Sequence, residues 1–473
     1  MKRGFALLGA VWLAGCAHFQ PEPLSPTQTA AEFDAHSLTD AGLERFLESN
    51  KLAGPWPRPA WDLEALTLAA FYYHPDLPVA RAGWAVARAG QITAGERPNP
   101  TVSVGPGYDS QIPDNPSPWL VPLTIDVPIE TAGKRARRLE QARHLAEAAR
   151  WRVVGAAWQI RSRVRTSLLT LFAASQTQAL LSRQEAGQSN VVHLLEGQLA
   201  AGGVSGYEVT QARVALNTTR LAAQDAWRQS LQARAQLADA LGLSLAALEG
   251  VHLSFAGLDA FPRPVRAGEI RRQALLNRAD VRGALADYAA SQSALQLEIA
   301  RQYPDVHLGP GYAWNAGSAG DNQWDLGLSV TLPVFNQNQG PIAEAKALRR
   351  QAAATFRAVQ AKAMGELDAA YVNYQAARQE SATAGGLLQN LARRLQSVRE
   401  MEQAGEVDPL TVANAQVEYN AGALAQLDAM VKAQEAMGRL EDAVQSPLVL
   451  SAVVIENVEQ PARPAQFSSE HAR

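Results

Sequence analysis

Val306-His307-Leu308-Gly309-Pro310-Gly311-Tyr312-Ala313-Trp314 alternates apolar with small or polar residues, and its centre, Gly309-Pro310-Gly311-Tyr312, repeats Gly105-Pro106-Gly107-Tyr108 at an offset of 204. Alternation with a period of two marks a β-strand that has one apolar and one polar face. A long-range identity of this kind asks whether the rest of the chain is duplicated. Asp76 and Pro100 recur as Asp280 and Pro304 at the same offset, and Pro128 recurs as Pro333 at 205. Gly202, Val204, Val209, Ala212 and Val214 recur as Gly405, Val407, Val412, Ala415 and Val417 at 203. The chain reads as a tandem duplication: a first repeat over 61–245, a linker over 246–266 with Phe261-Pro262-Arg263-Pro264, and a second repeat over 267–447.

Both repeats follow one plan. A helical segment (62–96, 267–302) leads into strands at about 100–109 and 119–129, or 305–314 and 324–334. The partner strands alternate as well. Leu123, Ile125, Val127 and Ile129 interleave with Thr124, Asp126 and Pro128, and Trp324, Leu326, Leu328, Val330, Leu332 and Val334 interleave with Asp325, Gly327, Ser329, Thr331 and Pro333. A long Ala/Gln/Arg/Leu-rich helix follows (134–200, 341–403), then a Gly-bearing turn (202–206, 404–408) and a helix (207–241, 409–444). At ~1.5 Å per residue the long helices reach ~100 Å, and two shorter helices stacked end to end match that length. Helices of this size exclude an ordinary globular domain, whose helices average ~11–12 residues.

The 473 residues carry 43 basic and 46 acidic side chains, a formal charge of −3, which gives no electrostatic case for a nucleic-acid partner. One cysteine excludes internal disulfides, Cys-based zinc sites and CxxC chemistry. The eight histidines are scattered singly, so no metal site is expected. No nucleotide, hydrolase or metalloprotease motif occurs, so neither a cofactor nor an enzyme is expected. Acidic pairs such as Glu400/Glu402 and Glu441/Asp442 read as solvated helix faces. Lys2 and Arg3 before the apolar run Gly4 to Ala14 read as a signal peptide over 1–15. Leu13-Ala14-Gly15-Cys16 looks like a lipobox, making Cys16 the lipidated start of an N-terminal segment over 16–60. Ala17 after it resembles the outer-membrane sorting pattern. Residues 448–473 read as a disordered tail.

Alternation alone does not separate membrane strands from soluble hairpins. Strands of ~10 residues suit a tilted membrane crossing. Tyr108, Trp119, Tyr312, Trp314 and Trp324 lie near the strand ends, where an aromatic girdle sits. These features and the outer-membrane address favour membrane strands. Four strands cannot close a barrel, so such a sheet must oligomerise, with eight strands in a dimer or twelve in a trimer. Asp126, His307 and Asp325 would then face water in the barrel lumen.

The lipobox, the duplicated plan and the Gly-bearing turns together resemble the TolC-type outer-membrane efflux proteins over about 60–447. The most specific stretches are Ala201-Gly202-Gly203-Val204-Ser205-Gly206-Tyr207-Glu208-Val209-Thr210-Gln211-Ala212 and Ala404-Gly405-Glu406-Val407-Asp408-Pro409-Leu410-Thr411-Val412-Ala413-Asn414-Ala415-Gln416. The resemblance implies a mixed α and β membrane protein, each protomer a duplicated long-helix plus β-hairpin unit. A homotrimer would form a 12-stranded transmembrane β-barrel and a periplasmic α-helical barrel. It implies that the turns at Gly202, Gly203, Val204, Gly405, Glu406 and Val407 are tips that receive a periplasmic adaptor (membrane fusion protein) from an inner-membrane pump, with an RND-type pump favoured. Glu208, Gln211, Thr411 and Asn414 fall where relatives narrow the pore. Thr411 and Asn414 are uncharged where relatives carry carboxylates, so Glu208 is the candidate for an acidic ring. The implied function is a passive efflux duct. The alternatives are a coiled-coil structural lipoprotein and a type I secretion exit duct. Ala31-Glu32-Phe33-Asp34 and Trp61-Asp62-Leu63 look somewhat closer to heavy-metal branches, yet no cluster of His, Met or Cys lines the expected lumen.

Overall fold

The computed structural model describes residues 19–108, 119–258, 267–315 and 323–447. The segments expected to be a signal peptide (1–15) and a tail (448–473), and Cys16, lie outside the described residues.

The strands form one antiparallel sheet. β1 (Thr101–Val104) and β2 (Gly107–Tyr108) both pair with β3 (Trp119–Ile129), β3 pairs with β4 (Val306–Asn315), and β4 with β5 (Gln323–Val330). Two strands differ from the sequence expectation. The strand expected over 100–109 is interrupted, because Pro106 has no N–H to give to the ladder. The strand expected to run to 334 stops at Val330. Its neighbour β4 begins at Val306, which pairs with Val330, so residues beyond have nothing to pair with.

The described residues also form ten helices, in chain order α1 (Pro26–Asp34), α2 (Ala41–Ser49), α3 (Leu63–Tyr73), α4 (Asp76–Gly95), α5 (Lys134–Ala200), α6 (Gly206–Leu241), α7 (Ala267–Asn277), α8 (Ala279–Ala300), α9 (Gln339–Gln403) and α10 (Pro409–Val444). The single helix expected over 62–96 is split. Pro75 cannot continue α3 and drives His74 to an extended conformation, φ −67° and ψ 126°. The segment 267–302 breaks at Arg278 without a proline. Neither α1 nor α2 was expected in the N-terminal segment; Leu43 and Leu47 of α2 are buried. The stretch read as a linker is partly built in, with a 3-10 turn at Leu245–Leu248 and a bridge from Leu253 to Trp61.

α5 is the spine. Along one side α4 and α6 stack end to end, held by Arg138 on the Ala94 carbonyl (2.9 Å) near the sheet and by Arg213 on Glu196 (2.6 Å) near the far end. Along the other side α8 and α10 stack in the same way, joined where Ala279 N donates to Gln445 Oε1 (2.7 Å). α9 packs on α8 and α10. The helical layer therefore has the α4/α6 stack and α9 as its two outer edges. β1 follows α4 and β5 precedes α9, so sheet and helices are open on the same two sides.

The core is concentrated at mid-length rather than spread along the helices. Leu43, Leu47, Leu66, Phe71, Ile160, Leu237 and Leu241 gather where α2, α3 and the end of α6 meet α5. A smaller cluster joins Ile270, Leu367, Tyr374, Met437, Leu440 and Val444. Elsewhere the layer is a thin ply in which buried alanines such as Ala226, Ala363 and Ala413 let helices approach closely.

Candidate functional site

Three places carry the chemistry of this fold, and the first is the sheet. Its register places the polar sets of all four long segments on one side. Thr101 lies opposite Asp126, Thr124 opposite Gly311, Gly311 opposite Asp325, and His307 opposite Ser329. On the other side Val102 faces Ile125, Leu123 faces Tyr312, Leu308 faces Leu328 and Tyr312 faces Trp324. The apolar side is thus continuous across the sheet, and it is uncovered, with Trp324, Leu326 and Leu328 exposed. Two of the three expected lumen residues meet on the polar side: His307 Nδ1 lies 2.9 Å from the Asp126 carboxylate. Asp325 lies over Gly311, where an added methyl group would meet its carboxylate oxygens at 2.5 and 2.6 Å. The described strands carry no Lys or Arg.

The far end of the helical layer carries two turns of identical construction. Gly202 and Gly405 sit at φ +75° and +76°. At the first turn Gly202 N donates to Leu199 O (3.0 Å) and Gly203 N to Gln198 O (2.8 Å). At the second Gly405 N donates to Glu402 O and Glu406 N to Met401 O, both at 2.9 Å. Each is a Schellman end, which needs a left-handed residue and so favours glycine. Gly203 has no such requirement, and Glu406 fills its place in the second repeat. Val204 and Val407 are half-buried beneath the exposed glycines. Gln198 Nε2 donates to Asp408 (3.3 Å) and links the turns.

Glu208, Gln211, Thr411 and Asn414 are all exposed at this end. The structure gives three of them local duties. Glu208 folds back in a capping box, accepting from Ser205 N (2.7 Å) while Ser205 Oγ accepts from Glu208 N. Those bonds from Ser205 hold its carboxyl below the usual glutamate range, so it stays anionic. Thr411 donates its backbone N–H and hydroxyl to Asp408, which they hold below its ordinary range. Gln211 donates to the Tyr207 hydroxyl (2.8 Å). One carboxylate per turn is therefore committed to a helix cap.

The third place is the middle of α5, which sequence reasoning missed. Glu441 is not on a solvated face. It is 1% exposed, 3.2 Å from the Arg161 guanidinium and 3.6 Å from Arg165, themselves 5% and 6% exposed. Asp442 accepts from Trp158 Nε1 (2.9 Å) and Ser162 Oγ (2.7 Å). Burial pushes the Asp442 carboxyl up and lowers the Arg165 guanidinium. Arg163, between the other two arginines, turns to the opposite side and pairs with Asp76. Arg161, Arg163 and Arg165 thus tie the joints of both helix stacks to the spine. The alternation Arg-Ser-Arg-Val-Arg over 161–165 was the available signal.

A sheet with one face apolar and uncovered is joined to a long helical ply that is open at the same edges. Comparison with known proteins gives the family. The outer membrane efflux protein family model matches residues 70–243 and 270–444, well over half of the chain, and the chain belongs to that family. The two matched stretches are successive copies. Among curated proteins, the cobalt-zinc-cadmium resistance protein CzcC of Cupriavidus metallidurans is 29% identical over 221 residues, 46% of this chain and 50% of that protein. The pyoverdine export outer membrane protein OpmQ of Pseudomonas aeruginosa is 25% identical over 194 residues, 40% of each chain. The matches span half or less of the length of these relatives. The crystal structure of the outer membrane protein VceC from Vibrio cholerae matches with a TM-score of 0.66 at 19% identity, covering 82% of this chain and 96% of that one. At that identity the likeness is one of fold. The curated relatives are outer-membrane efflux proteins of Gram-negative bacteria, and members of the family are channels rather than enzymes.

Proposed function

We propose that three copies close into a passive outer-membrane duct, which takes substrate from an inner-membrane pump through a periplasmic adaptor seated at the two turns. The observation that carries this reading is that sheet and helical layer are open along the same two edges. Unpaired strand edges are not tolerated in lipid, and four strands cannot close alone. Further copies must therefore supply the missing neighbours, and three give twelve strands. Exposed apolar residues along the helical edges fit the same closure: Val79, Val86 and Ile92 of α4 and Val214 and Leu221 of α6 on one side, Leu348, Val372 and Leu387 of α9 on the other. Cys16 is the lipid anchor in this reading. CzcC and OpmQ are named for different cargoes, which supports leaving selection of cargo to the pump. A scaffolding lipoprotein has no use for a continuous apolar sheet face.

Purified protein in planar bilayers should conduct, and the lumen wall should set its ion preference. Rings of carboxylates favour cations. Replacing Asp126 and Asp325 together by Asn should lower the potassium-to-chloride permeability ratio, read from reversal potentials in a salt gradient. Absence of conductance from folded oligomer sinks the duct; an unchanged ratio removes these two residues from the wall.

Valine at Gly202 or Gly405 should break adaptor co-purification while the oligomer survives. A β-branched residue in the left-handed region costs roughly 1–2 kcal/mol locally, too little to unfold the protein. Gly203→Ala should behave as wild type, since its nearest obstacle is Gln198 O at 3.4 Å. Normal adaptor capture by both valine variants would remove the turns from the interface.

A further inference from the structure

The joint between α3, α4 and the end of α6 is built around His74, a buried residue (5% exposed) with no part in the duct reading. Two donors converge on its ring: Asp76 N–H approaches Nδ1 at 3.2 Å, and an Arg163 Nη1 N–H approaches Nε2 at 3.3 Å. A neutral imidazole has one lone pair to offer them, and a protonated one has none. The charged groups around the ring are Arg163 from α5, Asp76 from α4 and Asp239 from α6. Asp76 is already engaged by Arg163. The Gly242 backbone packs against the His74 backbone, where an added methyl group would lie 2.8 Å from His74 Cα.

The second repeat shows what a permanent cation needs at this place. Asp76 recurs as Asp280, and the position of His74 is held by Arg278. Arg278 is equally buried, but the facing residue of its long helix is Glu366, at 2.8 Å, where the first repeat has Arg163. Asp280 adds a second carboxylate at 2.7 Å. A cation in the first repeat keeps one carboxylate, Asp76, but farther off at 3.9 Å, and meets the Arg163 guanidinium where the second repeat supplies Glu366.

We propose that His74 makes this joint proton-operated: its protonation loosens α4 from α5 at mid-length, and with it the seat of α6, which runs from the joint to the first turn. Burial, and then Arg163, hold His74 below the ordinary histidine range against the pull of Asp76 and Asp239. The contribution to stability is therefore complete above the unfolded value, ~6.5, and is lost as pH falls below that towards the lowered folded value.

The test is amide hydrogen exchange of the full-length detergent-solubilised protein at pH 7.5 and 5.5, corrected for intrinsic rates, over peptides covering 70–80 and 238–245. Wild type should open at least about threefold more at the lower pH, within the roughly tenfold per pH step that uptake of a single proton allows. His74→Gln should lose this response. His74→Arg should be open at both pH values, and Arg163→Glu added to it should restore protection by recreating the second repeat. An acid response that persists in His74→Gln overturns the proposal. So does His74→Arg protection equal to wild type at pH 7.5, or a failure of Arg163→Glu to rescue it. None of these readings depends on conductance, so the duct stands or falls separately.

Discussion

Glu441→Ala should be among the most destabilising single substitutions in this protein, by about 3–5 kcal/mol. The reason is the company Glu441 keeps. Its carboxylate is the counter-charge for Arg161 and Arg165, both almost wholly removed from water. Arg165 crosses the backbone of α10 at Gly438, where an added methyl group would overlap Nη1, and it ends on the Gln434 carbonyl at 2.9 Å. It has no route to solvent that avoids rebuilding the contact. Removing the carboxylate leaves two guanidinium groups, one turn apart on α5, buried at the α5–α10 interface without their shared counter-charge. Glu441→Gln should cost nearly as much, since it keeps the shape and loses the charge. Replacing all three residues by apolar ones of similar size should recover most of the loss, because buried ion groups rarely exceed well-packed apolar residues in net stability. Glu435→Ala is the matched control. Its pair with Arg439 is exposed, with 3.7 Å between the charges, and should contribute under about 1 kcal/mol. Denaturant or thermal unfolding of the purified variants checks the series, and a Glu441→Ala loss no larger than that of Glu435→Ala would contradict it.

The misreading of Glu441 and the legibility of the two strand faces have a common cause. In a strand the two faces alternate strictly, so Asp325 between Trp324 and Leu326 announces its side without knowledge of any neighbour. The register that aligns those sides across the sheet also extends to Asp126 and His307, which come within bonding distance from strands 181 residues apart. A helix in a ply has no such simple code. α10 meets α5 on one side and α9 on the other, so a charged residue near its end is buried or wet depending on which helix it meets. Ser205 and Glu208 do carry a local signature, the Ser-x-x-Glu spacing of a capping box, which a reading of Glu208 as a pore carboxylate passes over. The break at Pro75 was signalled by the proline. The break at Arg278 was not, because there it is fixed by Ala443, Asp280 and Glu366, all supplied by the folded chain.

Gly242 should be the least replaceable glycine of the described chain. Its φ of +72° already disfavours any side chain, and an added methyl group would lie 2.8 Å from His74 Cα and 3.0 Å from both His74 N and Tyr73 O. All three are backbone atoms of the α3–α4 turn, so no rotamer change relieves the clash. The left-handed conformation costs about 1 kcal/mol for alanine, and forcing apart a packed contact adds about 1–3. Gly242→Ala should therefore lose about 2–4 kcal/mol and separate α6 from α4 at the joint. Gly250 isolates the conformational part, since it has the same sign of φ, +71°, with nothing within 4 Å of an added methyl. Gly250→Ala should cost no more than about 1 kcal/mol. The second repeat solves the same problem with a different residue: Gln445, at φ +51°, ends α10 and spends its side chain on Ala279 N. Gln445→Gly should relieve the strain while losing that bond, leaving stability nearly unchanged. Thermal unfolding of the three variants separates strain from contact, and equal losses for Gly242→Ala and Gly250→Ala would mean that close approach to His74 contributes nothing.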